Sequence, residues 1–177
     1  MIDVDRLGHE VIEEAPPIDG QRLSIDFVNM LVGETAADVR DVIVEGESGL
    51  LAIHPKHARP KYEPSKRRIT WPSGAVATTF SGDEPDQLRG PQHDTVWADE
   101  LAKWKYAQEA WDNMEMGLRL GDDPRAVVTT TPRPIPLIIG LKNDPATICP
   151  TSNLSTSVNK QNVSRRFVER VIKKYAG

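Results

Sequence analysis

The chain has 177 residues, of which 38% are hydrophobic and 27% charged, with a formal net charge of −4. That length and balance fit one globular domain with a full core, and the single Cys149 excludes an internal disulfide. No apolar run in the sequence is long enough to span a bilayer and no stretch of it reads as a basic, apolar leader for secretion, so a soluble intracellular protein is expected.

The mean charge hides a gradient. Residues 1–50 carry twelve acidic and three basic side chains, whereas residues 142–177 carry seven basic and two acidic ones. Arg165, Arg166, Arg170, Lys173 and Lys174 crowd the end. That basic end suits either nucleic acid phosphates or a solvated helix face.

Residues 1–22 are acidic and contain Pro16-Pro17, the pattern of a leader or a short helix before a turn. Leu23, Ile25 and Phe27 alternate and run into Met30-Leu-Val32, which predicts a strand ending near Gly33. Thr35 with Asp38 three residues later is a capping arrangement for a helix through about Glu45, stopped by Gly46. Residues 53–67, with three prolines and many charges, read as a loop. Arg68–Trp71 and Ala75–Phe80 around Pro72-Ser-Gly74 predict a β-hairpin. Asp86–Arg89 suggests one helical turn, and a strand is expected at about 94–99.

From Leu101 to Leu120 the apolar residues Leu101, Trp104, Ala107, Trp111 and Met114 recur at helical intervals, giving one amphipathic helix or two short ones. Gly121 ends this stretch, and a strand at 125–130 stops at Pro132-Arg-Pro134. Ile135–Leu141 predicts a helix, Ala146–Cys149 a short strand, and Ser164 caps a last helix with Phe167, Val168, Val171, Ile172 and Tyr175 on its apolar face. Strands alternating with helices argue for an α/β fold with a mostly parallel sheet and one inserted hairpin.

The chemistry concentrates at the ends of two predicted strands. Thr95-Val-Trp-Ala-Asp-Glu100 is an apolar run ending in adjacent carboxylates, and Val127-Val-Thr-Thr-Thr131 ends in three hydroxyls. In a nucleotide-hydrolysing α/β sheet, one such carboxylate serves Mg²⁺ and the next orients the attacking water. Asp99 suits the first role and Glu100 the second. Acidic pairs also favour the start of a helix, so Glu100 could simply open the segment that follows. Thr129–Thr131 could likewise reflect strand propensity and capping before Pro132.

Arg133, stiffened between two prolines, suits a phosphate or a surface acid. Arg89-Gly90-Pro91-Gln92 suits a nucleotide or a polar turn. His54 and His57 lack neighbouring ligands for a metal site, and the four tryptophans fit packing better than base stacking. No Lys in the chain is followed by Ser or Thr, so no GxxxxGK[ST] phosphate loop exists in it.

Residues 32–134 resemble the ATPase domain of the large terminase subunit, the DNA-packaging motor of tailed bacteriophages, in the branch found in gene transfer agents. The likeness is carried by Leu31-Val-Gly-Glu-Thr-Ala-Ala-Asp-Val-Arg-Asp41, Pro60-Lys-Tyr-Glu-Pro-Ser-Lys-Arg-Arg68 and Glu84-Pro-Asp-Gln-Leu-Arg-Gly-Pro-Gln-His93. Trp97-Ala-Asp-Glu-Leu-Ala-Lys-Trp104, Gly117-Leu-Arg-Leu-Gly121 and Val127-Val-Thr-Thr-Thr-Pro-Arg-Pro134 extend it in the same order.

The resemblance implies a P-loop-NTPase-like sheet flanked by helices, carrying the inserted hairpin and missing its first βα unit. It matches Asp99 and Glu100 to the Walker B pair, with Asp99 toward metal and Glu100 catalytic. Thr129, Thr130 and Thr131 match the coupling motif at the nucleotide, with Arg133 beside them. It further implies ATP and Mg²⁺ as cofactors, and double-stranded DNA, the small terminase subunit and the portal protein as partners. Further copies of the chain and a place in the bacterial host cytoplasm, without membrane contact, belong to the same expectation.

On this reading residues 1–30 are a divergent leader, 31–150 a partial ATPase domain, and 151–177 a linker with a basic helix. Residues 1–29 stand where the family carries its phosphate-loop strand and helix. Thr156-Ser-Val-Asn159 stands where the family tends to show Thr-Tyr-Asp-Asn. The family's carboxy-terminal nuclease domain has no counterpart here. A truncated, inactive prophage product and a non-enzymatic DNA- or partner-binding module therefore stay open beside the motor reading.

Overall fold

The structure, a computed structural model, describes residues 28–131 and 133–148. Their order is β1 (Val28–Gly33), α1 (Ala36–Asp38), a π-helical turn (Val39–Val44), α2 (Leu50–Ile53), β2 (Lys61–Glu63), β3 (Arg68–Thr70), β4 (Val76–Ser81), β5 (Thr95–Asp99), α3 (Ala107–Gly117), β6 (Arg125–Thr129) and α4 (Pro136–Asn143). Short 3-10 turns occupy Pro64–Lys66, Pro85–Leu88 and Leu101–Lys103.

The strands form one six-stranded sheet in the order β2-β3-β4-β1-β5-β6. β1, β4, β5 and β6 are parallel, while β2 and β3 add an antiparallel edge. The fold is α/β, a mostly parallel sheet with helices on both faces. The Leu23–Val32 apolar run supplies its central strand from Val28 onward, because Met30, Leu31 and Val32 are buried on both sides, as a parallel strand requires.

Alternation along β1 and β5 divides the core in two. Met30 and Val32 of β1 and Val96 and Ala98 of β5 face Leu88, Leu101, Trp104, Ala107, Ala110, Met114 and Leu137. Leu31 and Trp97 face the other layer, where Val39, Ile43, Val44, Leu50, Ile69 and Ala77 pack. Thr35 closes a full capping box with Asp38, its hydroxyl accepting from Asp38 N–H at 3.1 Å while the Asp38 carboxylate accepts from Thr35 N–H at 3.1 Å. The helix expected through Glu45 continues as the π turn rather than as regular α-helix.

The hairpin forms as expected. Gly74, at φ +95, takes the left-handed position in its turn, and Trp71 N–H bonds the Ala75 carbonyl at 2.9 Å.

Three local expectations are decided by the fold. The supposed loop at 53–67 contains β2, whose Lys61, Tyr62 and Glu63 pair with Thr70, Ile69 and Arg68. Its charges sit on an edge strand that needs only one paired side. Of the two arrangements expected over 101–120, one helix or two short ones, the second forms: the stretch divides at Trp104, which is extended at ψ 137 and whose indole donates to the Asp99 carbonyl at 2.9 Å. Residues 146–148 form no strand, and Cys149 and the helix expected after Ser164 lie outside the described residues.

Candidate active site

The parallel strands β1, β4, β5 and β6 all end at one rim of the sheet, the edge where open α/β sheets bind ligands. Glu34 and Thr35 follow β1, Ser81 ends β4, Asp99 and Glu100 end β5, and Thr129–Thr131 end β6. Asp99 pairs in register with Thr129. Thr129 Oγ1 donates to Asp99 Oδ1 at 2.5 Å.

Neighbouring residues of a strand point to opposite faces, so an extended Glu100 would be carried away from Asp99. Instead Glu100 adopts a left-handed backbone at φ +53, ψ +39, a conformation that is uncommon outside Gly and costs of order 1 kcal/mol. In that position its Oε2 accepts from Thr131 N–H at 3.1 Å and its Oε1 from the Thr131 hydroxyl at 3.2 Å. Thr130 Oγ1 accepts from Ala102 N–H at 3.0 Å. Both carboxylates and all three threonines therefore meet at one rim.

The turn after Glu100 ties the rim together. Ala102 bonds Thr130 just past β6, Lys103 Nζ lies 2.6 Å from Glu34 Oε2 beyond β1, and Trp104 bonds β5 while its ring covers Gly82 beyond β4. A Cβ at Gly82 would stand 2.7 Å from two atoms of that ring, which is why the position is glycine.

Burial pushes the Asp99 carboxyl above its ordinary range, the negative charges of Glu100 and Asp38 push the same way, and the Thr129 hydrogen bond opposes them. The Glu34 carboxylate pushes the Lys103 ammonium up. Arg133 is exposed, and its guanidinium makes no hydrogen bond or ion pair with these rim residues. Arg89 is exposed ahead of Gly90, which turns the chain at φ +109. His54 is buried and bonds the Leu50 carbonyl and the Trp71 indole, whereas His57 is exposed.

Sequence reasoning passed over Lys103, Glu34, Trp97 and Trp104. Glu34 was findable, since a strand ending at Gly33 puts it on the same rim as Asp99. Lys103 and the tryptophans were not, because their partners lie on other strands.

The description "Terminase large subunit, T4likevirus-type, N-terminal" matches residues 14–144. The chain belongs to this terminase family. Among solved structures, this terminase chain is similar to the large terminase ATPase domain of Thermus phage P74-26, at 13% identity and TM-score 0.46, covering 66% of this chain and 52% of that one. It is also similar to the large terminase of a second, thermophilic bacteriophage, at 13% identity and TM-score 0.45, covering 60% of this chain and 27% of that one. That second phage's large terminase in complex with ADP matches at 19% identity and TM-score 0.40, covering 59% of this chain and 25% of that one. The terminase chain thus spans about half the length of the P74-26 domain. Comparison with curated proteins gives no match.

Two adjacent carboxylates fit Mg²⁺ when phosphate oxygens and water complete the shell. No group of three or more His, Cys, Asp or Glu residues able to hold a metal occurs among the described residues. Lys103, the lysine of the turn behind Glu100, is engaged by Glu34. No helix among the described residues is long and apolar enough to cross a membrane.

Proposed function

We propose that this chain provides the hydrolysis-and-coupling half of a terminase ATPase, part of the motor that packages viral double-stranded DNA into the procapsid. The carrying observation is the bonding of Asp99 to Thr129 and of Glu100 to Thr131 across adjacent parallel strands. Asp99 would hold Mg²⁺ through its water shell, and Mg²⁺ would supply charge neutralisation at the phosphates. Glu100 orients and deprotonates water, held by its two bonds to Thr131. Thr129–Thr131 form the coupling segment, since a shift of the end of β6 moves both carboxylates.

Residues 31–150 are the catalytic segment of this reading. The small terminase subunit, the portal protein and further copies of the chain are its partners, in the bacterial host cytoplasm. Arg133, exposed just past Thr131, is assigned to phosphate on this reading.

This reading still requires a phosphate-binding loop. No lysine precedes Ser or Thr anywhere in the 177 residues, and backbone amides plus that lysine provide most of the phosphate positioning. These 177 residues by themselves are therefore expected to turn over no ATP above background unless a phosphate loop is supplied to them. The same absence favours the second reading, a catalytically silent piece.

Mg²⁺-dependent ATP turnover separates the two. It is measured for the chain alone and for the chain extended at its amino end with the phosphate-loop strand and helix of a solved terminase. The motor reading expects background from the first. It expects turnover from the second that falls at least about a hundredfold in Glu100→Gln. Turnover by the unextended chain, or turnover indifferent to Glu100→Gln, overturns it. An extended chain that binds nucleotide without hydrolysis selects the silent reading.

A further inference from the structure

Trp97 lies two residues before Asp99 on β5 and shares its face of the sheet. Its indole N–H donates to Thr129 Oγ1 at 3.2 Å, and Thr129 Oγ1 donates in turn to Asp99 Oδ1 at 2.5 Å. A threonine hydroxyl has one proton and two lone pairs. With the indole hydrogen on one lone pair, the hydroxyl proton goes to the carboxylate in preference to the Ala98 carbonyl, which is 3.5 Å away.

We propose that Trp97 is a positioning residue for Asp99, acting through Thr129: the indole sets the direction of the hydroxyl, and the hydroxyl commits Asp99 Oδ1 to β6. A ligand then reaches Asp99 through its remaining oxygen.

The chain of donors starts in the apolar layer beneath the rim, where Trp97 packs against the cluster containing Val39, Ile43 and Ala77. That origin matters because Asp99 shares its surroundings with the negative charges of Glu100, on its own segment, and Asp38, from α1. Without a fixed donor the carboxylate would rotate to relieve those repulsions. Trp97 thus links the orientation of the carboxylate to the packing under β5. The ligand assigned to Asp99 rests on the ATPase reading, whereas the donor chain does not.

The test uses the indole N–H resonances of the full chain, with Trp97 assigned by its loss in Trp97→Phe. Thr129→Val is expected to move the Trp97 indole proton upfield and speed its exchange roughly five- to tenfold, the effect of one lost hydrogen bond. Thr129→Ser restores both values. Asp99→Asn also moves the indole resonance, though Trp97 does not bond that carboxylate. Trp97→Phe shifts the Asp99 carboxyl carbon resonance at fixed pH. An indole resonance unmoved in both Thr129→Val and Asp99→Asn, with the fold intact by circular dichroism, overturns the proposal. Where Thr129→Val fails to fold, Asp99→Asn and Trp97→Phe decide it: an unmoved indole and an unmoved carboxyl carbon overturn it equally. No nucleotide is used, so a negative result leaves the ATPase reading standing, and absent turnover leaves this one standing.

Discussion

Gly82→Ala probes the contact that closes the turn behind Glu100. The added Cβ would lie 2.7 Å from Trp104 Cδ2 and Cε3, where ordinary contact begins near 3.4 Å, so the ring must retreat by about 0.7 Å. Trp104 is only 4% exposed and belongs to the buried cluster that includes Leu101, Ala107 and Val96, which leaves it little room. Overpacking of this kind costs about 1–3 kcal/mol. The retreat also stretches the indole bond to the Asp99 carbonyl from 2.9 Å, and losing that bond adds about 1 kcal/mol. The expected loss is therefore about 2–4 kcal/mol, a large part of the roughly 5–15 kcal/mol that holds a domain folded.

Urea unfolding followed by circular dichroism measures it as a lower midpoint at unchanged slope. Pairing the change with Trp104→Phe, which removes part of the obstructed ring, should make the double variant less destabilised than the sum of the singles. A Gly82→Ala protein within about 0.5 kcal/mol of the parent, or strict additivity with Trp104→Phe, refutes the reasoning.

Thr35→Ala removes the capping box and is expected to lower stability by about 1 kcal/mol, read as a reduced urea midpoint. Faster amide exchange at Asp38, whose N–H loses its acceptor, should accompany it. Asp99→Asn is expected to stabilise the fold at pH 7 while removing the charge that the proposed function assigns to Mg²⁺. Burial raises the folded carboxyl's pKa, so its favourable contribution exists below the unfolded value and is lost as pH rises through the folded one. Melting temperatures at pH 7 and pH 3 should show the variant's advantage only at the higher pH; an advantage of equal size at both contradicts this. His93 gives the opposite sign. It is buried with Nε2 at 3.0 Å from the Met114 carbonyl, and burial lowers its folded pKa. The unfolded chain therefore takes up the proton first, and stability falls as pH drops below about 6.5. Between pH 7.5 and 5.5 the parent should lose more stability than His93→Gln, and parallel pH profiles count against the idea.

Much of the architecture was legible in one dimension, because it depends on local spacing. The strand ending at Gly33, the capping pair Thr35 and Asp38, the hairpin at Pro72-Ser-Gly74 and the strand carrying Asp99 each follow from periodicity or turn chemistry within a few residues. β2 was missed since its pairing partner, β3, lies beyond an intervening turn and two of its own three residues are charged. Over 101–120 helical intervals left one helix or two short ones open, and the break falls at Trp104, whose indole turns back to a strand carbonyl.

At the rim, residue types alone named Asp99, Glu100 and the three threonines as candidates. Their meeting depends on β5 and β6 lying side by side in register and on Glu100 taking a left-handed backbone, and both are products of packing between distant segments. Lys103 against Glu34 and Trp97 against Thr129 belong to the same class, contacts across strands that no spacing along the chain encodes. Local order was thus written in neighbouring side chains. The working geometry arose when the sheet brought residues about thirty positions apart within one hydrogen bond of each other.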